Sequence, residues 1–313
     1  MSRHTLGPPR LLLCVVATTC LGACSGGLER SSGPCPSGQD LREERHDDAT
    51  TIKSRGCVGP DSENNYRRQG HWEFFHPNGQ KSGEGSYVDA HPGGETDNTG
   101  IQRDGREGAW VFWHENGQKS QETTYLNGEP AGLSTEWHDN GQKSVEGTWR
   151  DGELEGLGTA WHDNGQKSGE VTWRDGEREC LLTRWRDNGQ KRVESTYRDG
   201  KEEGLSTVWY ENGQKSQEET YRDGEREGLV TQWHENGQKS KEDTYLNGEP
   251  EGRETWWFPD GQKRLEMTHL NGEPEGLATQ WHENGQKRRE STYLNGTPTS
   301  VTEWDESGTQ ISR

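Results

Sequence analysis

The sequence predicts an all-β chain, an elongated single-layer antiparallel β-meander of about nine 24-residue hairpin repeats. Three observations carry this. The string NGQK starts at Asn78, Asn116, Asn140, Asn164, Asn188, Asn212, Asn236 and Asn284, and DGQK at Asp260 fills the remaining gap. Trp113, Trp137, Trp161, Trp185, Trp209, Trp233, Trp257 and Trp281 stand 24 residues apart, with Phe75 in the same place in the first copy and Trp304 one residue early in the last. Each unit has two glycine turns, one in ENG or DNG and one in LNG or RDG, separated by alternating segments rich in Thr, Trp and Tyr, which is strand chemistry.

Composition sets the limits of the core. With 24% hydrophobic residues, 29% charged residues and a formal net charge of -19, the 313-residue chain lies near the disordered class by bulk numbers. The 14 Trp against four Phe, at fixed intervals, argue for order. So little apolar surface builds thin stacked units rather than two thick globular domains. The acidic balance argues against nucleic acid, whose phosphates need a Lys and Arg stripe, and against electrostatic docking on anionic lipid. It favours neutral or basic protein partners.

Residues 1–23 read as a signal peptide: Arg3 and Arg10 precede the run LLLCVVATTC, which is too short to span a bilayer. LGAC followed by Ser25 resembles the bacterial lipoprotein signal, which makes Cys24 the expected lipidation site and the lipid anchor the only membrane contact. Cleavage there removes two arginines and no acid, taking the charge from -19 to -21. Residues 24–65 then read as a lipidated Cys and flexible tether, with a disulfide between Cys35 and Cys57 plausible in an exported chain and two unpaired thiols the alternative. Cys180 stands where Gly132, Gly156, Gly204 and Gly228 stand in other copies, as a drifted glycine. The repeat array occupies 66–313, with a loop insertion at 88–104 that makes the step from Phe75 to Trp113 38 residues.

Within the unit, the turn decides which side chains share a face. A two-residue loop at Asn236–Gly237 places Trp233 opposite Ser240 and sends the Trp register and the register Tyr125, Trp149, Trp173, Tyr197, Tyr221, Tyr245, His269 and Tyr293 to opposite faces. A three-residue loop, Glu235–Asn236–Gly237, places Trp233 opposite Lys239. Gathering apolar side chains favours the second. It predicts Leu229, Thr231, Trp233 and Tyr245 on one face and His234, Ser240, Glu242 and Thr244 on the wetter one. The same loop length is expected at Leu246–Asn247–Gly248. Pro130, Pro250, Pro274 and Pro298, just beyond that turn, predict a wider second connection. A further apolar register, Leu133, Leu157, Leu181, Leu205, Leu229 and Leu277, is broken only by Arg253.

The pattern aromatic-x-x-Asn-Gly-Gln/Lys, then aromatic-x-Asp/Asn-Gly-x-x-x-Gly, resembles the MORN repeat, in the bacterial variant found in YwqK-like antitoxins, over residues 70–313. The resemblance implies an extended twisted sheet of hairpins used for protein or lipid contact, with no catalytic residues to carry over. An exported chain departs from the cytosolic partner that the antitoxin name implies.

No chemistry stands apart from the repeat. His114, His138, His162, His234 and His282 follow the register Trp, but one His per unit, about 10 Å from the next, cannot close a metal site, so they read as solvated strand-end residues. No Ser-His-Asp or Cys-His set and no phosphate loop emerges, so neither an enzyme nor a cofactor is expected. The insertion HPGGETDNTGIQRDG reads as a surface excursion; Asp97 and Asn98 match no calcium loop. The functional expectation is a bacterial envelope lipoprotein, on the outer membrane rather than the inner, that acts as a scaffold for protein-protein interaction, immunity- or antitoxin-like. The alternative is adhesion to glycan or cell wall through the Trp strip Trp113, Trp137, Trp161, Trp185, Trp209, Trp233, Trp257 and Trp281.

Overall fold

A computed structural model describes residues 35–36, 38–48, 50–60, 65–90, 95–97 and 99–311. Residues 1–23, read above as a signal peptide, and Cys24 lie outside the described residues. From Cys35 onward the chain is one antiparallel sheet in which each strand pairs with the one before it and the one after it. All the regular structure described is β, and the meander runs from Asp40–Arg45 at one edge to Gln310–Ile311 at the other. One edge strand is densely charged and the other is two residues long, both ways of discouraging edge-to-edge pairing.

The two turns of each unit differ. At the first, His234 N–H donates to Gln238 O (2.8 Å) and Gly237 N–H to His234 O (2.9 Å), with Gly237 at φ +83°. This is the three-residue loop, a type I turn closed by a left-handed glycine, and Trp233 faces Lys239 as predicted. The second connection is narrower, not wider. Asn247 (φ +50°) and Gly248 (φ +81°) form a two-residue turn of type I′ between the paired Leu246 and Glu249. Pro250 faces Tyr245 at the next rung, where antiparallel geometry asks no hydrogen bond of either residue, so its missing amide costs the hairpin nothing.

Between Trp233–Lys239 and Gln232–Lys241 the ladder skips Ser240, a one-residue bulge that reverses the side-chain parity. Tyr245 therefore lies across from Gly228, and Leu229 across from Thr244. Leu229, Thr231 and Trp233 do share a face, but with Glu242 and Thr244, while Tyr245 goes to the other face with Val230 and Asp243. The predicted single apolar face is thus split in two, a Trp face and a Tyr face.

Part of the stretch read as a tether is built into the sheet. Asp40–Arg45 pairs with Ile52–Pro60, which pairs with Tyr66–Phe75, and a Cys35–Cys57 disulfide (Cα–Cα 5.7 Å) fastens this extra hairpin. His46 occupies the place of the repeat histidines, so the hairpin is a diverged copy of the unit, hidden from the sequence by the loss of its Asn-Gly turn.

The insertion is likewise more than a surface excursion. Ile101 and Gln102 are buried, and with Val58, Trp72, Phe74, Tyr87, Ala90, Trp110, Phe112 and Tyr125 on the Tyr face Ile101 closes a compact aromatic core. Gly56 and Gly85 lie under the indoles of Trp72 and Trp110, where any Cβ would overlap the ring.

Candidate interaction faces

Four contacts, each repeated down the array, join one unit to the next. The residue after the register Trp reaches the carbonyl of the next register Trp: His114 Nε2 lies 2.9 Å from Trp137 O, His138 Nε2 3.0 Å from Trp161 O and His234 Nε2 3.0 Å from Trp257 O. A carbonyl only accepts, so Nε2 carries a proton in each. Where the histidine is replaced, Arg186 donates to Trp209 O (2.8 Å) and the Tyr210 hydroxyl to Trp233 O (2.6 Å). These residues are half-buried inter-unit donors, not the solvated strand ends that sequence implied. Phe258 has no donor to offer Trp281 O. The second contact is an asparagine ladder: Asn212 Nδ2 donates to Glu235 O (2.7 Å) and Asn236 Nδ2 to Pro259 O (2.6 Å), one turn to the next. Third, Glu227 accepts the Asn247 amide (3.0 Å), as Glu203 accepts that of Asp223 (2.9 Å).

The fourth contact covers the Trp row. The ammonium of Lys119 lies 5.6 Å from the Trp137 ring centre, Lys143 5.8 Å from Trp161, Lys191 5.8 Å from Trp209 and Lys263 5.9 Å from Trp281. Each lysine also pairs with the glutamate three residues on, Glu122, Glu146, Glu194 or Glu266. All eight register Trp are half-buried. Lys81 lies over Trp113 as well (5.5 Å), so five of the eight register rings are roofed by a lysine rather than bare. What the Trp face does expose is the leucine register: Leu133, Leu157, Leu181, Leu205, Leu229 and Leu277 are 48–57% exposed. Leu126, Leu246, Leu270 and Leu294, at the second turns, add to the same face and are as open.

The Tyr face changes from unit to unit. Its central cross-strand positions hold Thr123 with Ser134, Val171 with Leu182, and Ser195 hydrogen-bonded to Ser206 at 2.7 Å. Farther along they hold charge. Lys241 Nζ lies 2.7 Å from the buried Asp243 and 3.0 Å from Glu254, and Trp256 Nε1 donates to Glu254 (2.7 Å). Burial alone would lower the Lys241 ammonium; the bonds to Asp243 and Glu254 outweigh it and hold the group above its ordinary value. Between Val145 and Arg184 the same face opens into an apolar notch of about 260 Å³.

In the first units, Arg106 is fully buried on this face. It stacks on Trp110 (4.8 Å), donates to Ile101 O (2.8 Å), Gln102 O (2.9 Å) and the Tyr125 hydroxyl (2.9 Å), and meets Asp97 at 2.8 Å. Burial would lower its guanidinium and raise the Asp97 carboxyl. Tyr125 and Asp97 hold Arg106 up, and the Thr99 hydroxyl with Arg106 holds Asp97 down. Neither the buried arginine nor the glycine-seated indoles were picked out from sequence; a glycine directly across the ladder from a tryptophan was the available signal. His71, Glu73 and Glu84 lie close enough to share an ion, but Arg55 (2.6 Å) and Lys81 (2.8 Å) already neutralise Glu73, and Lys81 bonds Glu84 as well. Cys180 takes φ +61° in the column of left-handed glycines, in keeping with its reading as a drifted glycine.

Hairpins locked end to end, with surfaces open on both faces, define a repeat scaffold for protein or membrane interaction. Segments 68–89, 106–127, 202–223, 226–247, 250–271 and 274–295 match the MORN repeat variant. The units between 130 and 198 carry the same hairpins. No curated protein matched the sequence. Among solved structures, the crystal structure of TcdB2-TccC3 is similar over 84% of this chain and 20% of that one, at 9% identity and a TM-score of 0.18. That of TcdB2-TccC3-Cdc42 is similar over the same shares at 10% identity and a TM-score of 0.16. The chain spans about one fifth of the length of those chains.

Proposed function

We propose that the chain is a non-enzymatic scaffold for protein-protein contact, tethered by an acylated Cys24 to the bacterial envelope and acting by capture of a partner, as an immunity or antitoxin-like protein does. The observation that supports this best is the leucine row of the Trp face. Six leucines on one 24-residue register, interrupted only by Arg253 and each about half exposed, are more apolar surface than folding needs, and exposed apolar strips mark contact with protein surfaces. Glycan adhesion has weaker support, because five of the eight Trp rings a sugar would stack on are already capped by lysines.

A photocrosslinking residue at 205 or 229, in the full chain in its native envelope, tests the reading. One protein band is expected from both positions, lost when Leu181 and Leu277 are changed to Asp while circular dichroism stays unchanged. Retention on a peptidoglycan or polysaccharide column without any protein crosslink overturns it. For the anchor, Cys24→Ala is expected to block processing and release the chain from membranes; unchanged fractionation rejects the lipoprotein assignment.

A further inference from the structure

We infer that the notch on the Tyr face between Val145 and Arg184 seats an aromatic side chain, an indole above all, that a neutral or basic partner protein presents with a carboxylate on either side of it. The inference rests on the scaffold reading above and names the chemistry of one contact. The floor of the notch is Gly147, Gly158 and Gly169, and its walls include Val145, Leu154 and Trp173. None of these three glycines has a positive φ, so the backbone does not require glycine there, and glycine inside a strand weakens it. What the three provide is room.

The protein itself shows what this room accepts. In the column that contains Gly147, Gly56 seats the indole of Trp72 and Gly85 that of Trp110. In both, the indole N–H donates to a backbone carbonyl at 3.1 Å, of Cys57 or Ser86, and an arginine caps the ring, Arg68 at 4.5 Å and Arg106 at 4.8 Å. At Gly147 the platform recurs, but the cross-strand position that holds Trp72 and Trp110 is Gly158, so no ring projects from there; the Trp173 edge and Leu154 border the space and leave the notch open. A cavity of about 260 Å³ has room for an indole. The arginine recurs as well. Arg178 lies 5.8 Å from the Trp173 ring and 5.5 Å from that of Tyr197, whose hydroxyl it also bonds, and Arg184 lines the notch with it; neither makes an ion pair among the described residues. An aromatic residue flanked by carboxylates complements that pairing of an apolar floor and two guanidinium groups without carboxylate partners.

The test uses the full chain and the acetylated, amidated tripeptide Asp-Trp-Asp as probe. Saturable binding by NMR with Kd about millimolar is expected, as befits one side chain. The Asp-Ala-Asp control is expected not to bind, and Arg178→Gln to weaken binding about threefold. Gly158→Trp fills the notch as Trp72 and Trp110 fill theirs and is expected to abolish binding. Its Cβ would press on Trp173 Nε1 at 3.0 Å, so Gly169→Leu, whose Cβ meets nothing nearer than Thr183 O at 3.7 Å, decides the matter if the first variant misfolds. No saturation by the tripeptide, binding that survives in a filled variant that folds, or saturable dodecanoate binding in place of the peptide overturns the inference. If crosslinks through Leu205 and Leu229 persist while the tripeptide fails, the scaffold stands and the notch falls.

Discussion

The hairpins of Tyr66–Phe75 through Lys119–Leu126 and those of Lys201–Trp209 through Lys287–Leu294 use the same first turn and the same backbone ladder, but they are filled differently. The first group buries Trp72, Phe74, Tyr87, Trp110, Phe112 and Tyr125 against one another under the insertion. The second buries only Val230 and Ala278 among its apolar side chains, alongside Ser206, Thr207, Glu219, Thr231, Asp243, Thr255, Thr279 and Ser291. One region is held as globular domains are, by apolar area removed from water. The other is held by bonds repeated between neighbours, each modest and all in series. A single-layer sheet can therefore do without a hydrophobic core wherever each unit satisfies the polar groups of the next.

That contrast is open to measurement. The largest effects belong to the first region: Trp110→Ala and Arg106→Ala are each expected to cost about 3–5 kcal/mol, one by opening a cavity and the other by removing a fully buried guanidinium from Trp110 and leaving the half-buried Asp97 without its cation. Trp209→Ala, at a half-buried ring roofed by Lys191, is expected to cost about half as much. Equal losses for Trp110 and Trp209 in urea unfolding would erase the distinction between the regions.

Smaller changes probe the ladders. Asn236→Ala removes one inter-unit bond and is expected to cost about 1 kcal/mol. Phe258→His, which supplies the donor that Trp281 O lacks, is expected to gain about the same, read as a shift of the denaturant midpoint at constant slope. If Phe258→His has no effect, the histidine ladder does not hold units together.

The smallest effect is at high pH. Burial first, and then the hydrogen bond to the Glu219 carboxylate, push the Tyr221 phenol up to about 12. A folded-state pKa above the unfolded value of about 10 stabilises the fold fully below that pH, and the contribution is lost as pH rises through about 12. Tyr221→Phe is expected to remove one phenol that titrates near 12 by difference absorbance and to flatten stability over that window. Loss of a phenol that titrates near 10 instead would mean Tyr221 and Glu219 are not paired in solution.

The sequence by itself determined the all-β class, the 24-residue unit, the antiparallel meander and the three-residue first turn with its left-handed glycine. Each of these follows from residue spacing or from the chemistry of Asn-Gly, both local. It also placed the Trp and leucine registers in order along the array. The tertiary structure alone decided which face each register occupies. A single bulged residue at Ser240 reverses parity, and a period-two pattern cannot reveal a bulge that every copy shares. The pairing of Asp40–Arg45 with Ile52–Pro60 and the burial of Ile101 and Arg106 were hidden for a related reason. They rest on contacts between segments outside the repeat, and no periodicity marks which loop residue covers which ring. The histidine column had a visible spacing, but its role depends on the next unit's carbonyl lying within 3 Å, a distance set by the stacking of hairpins and by nothing in one unit alone.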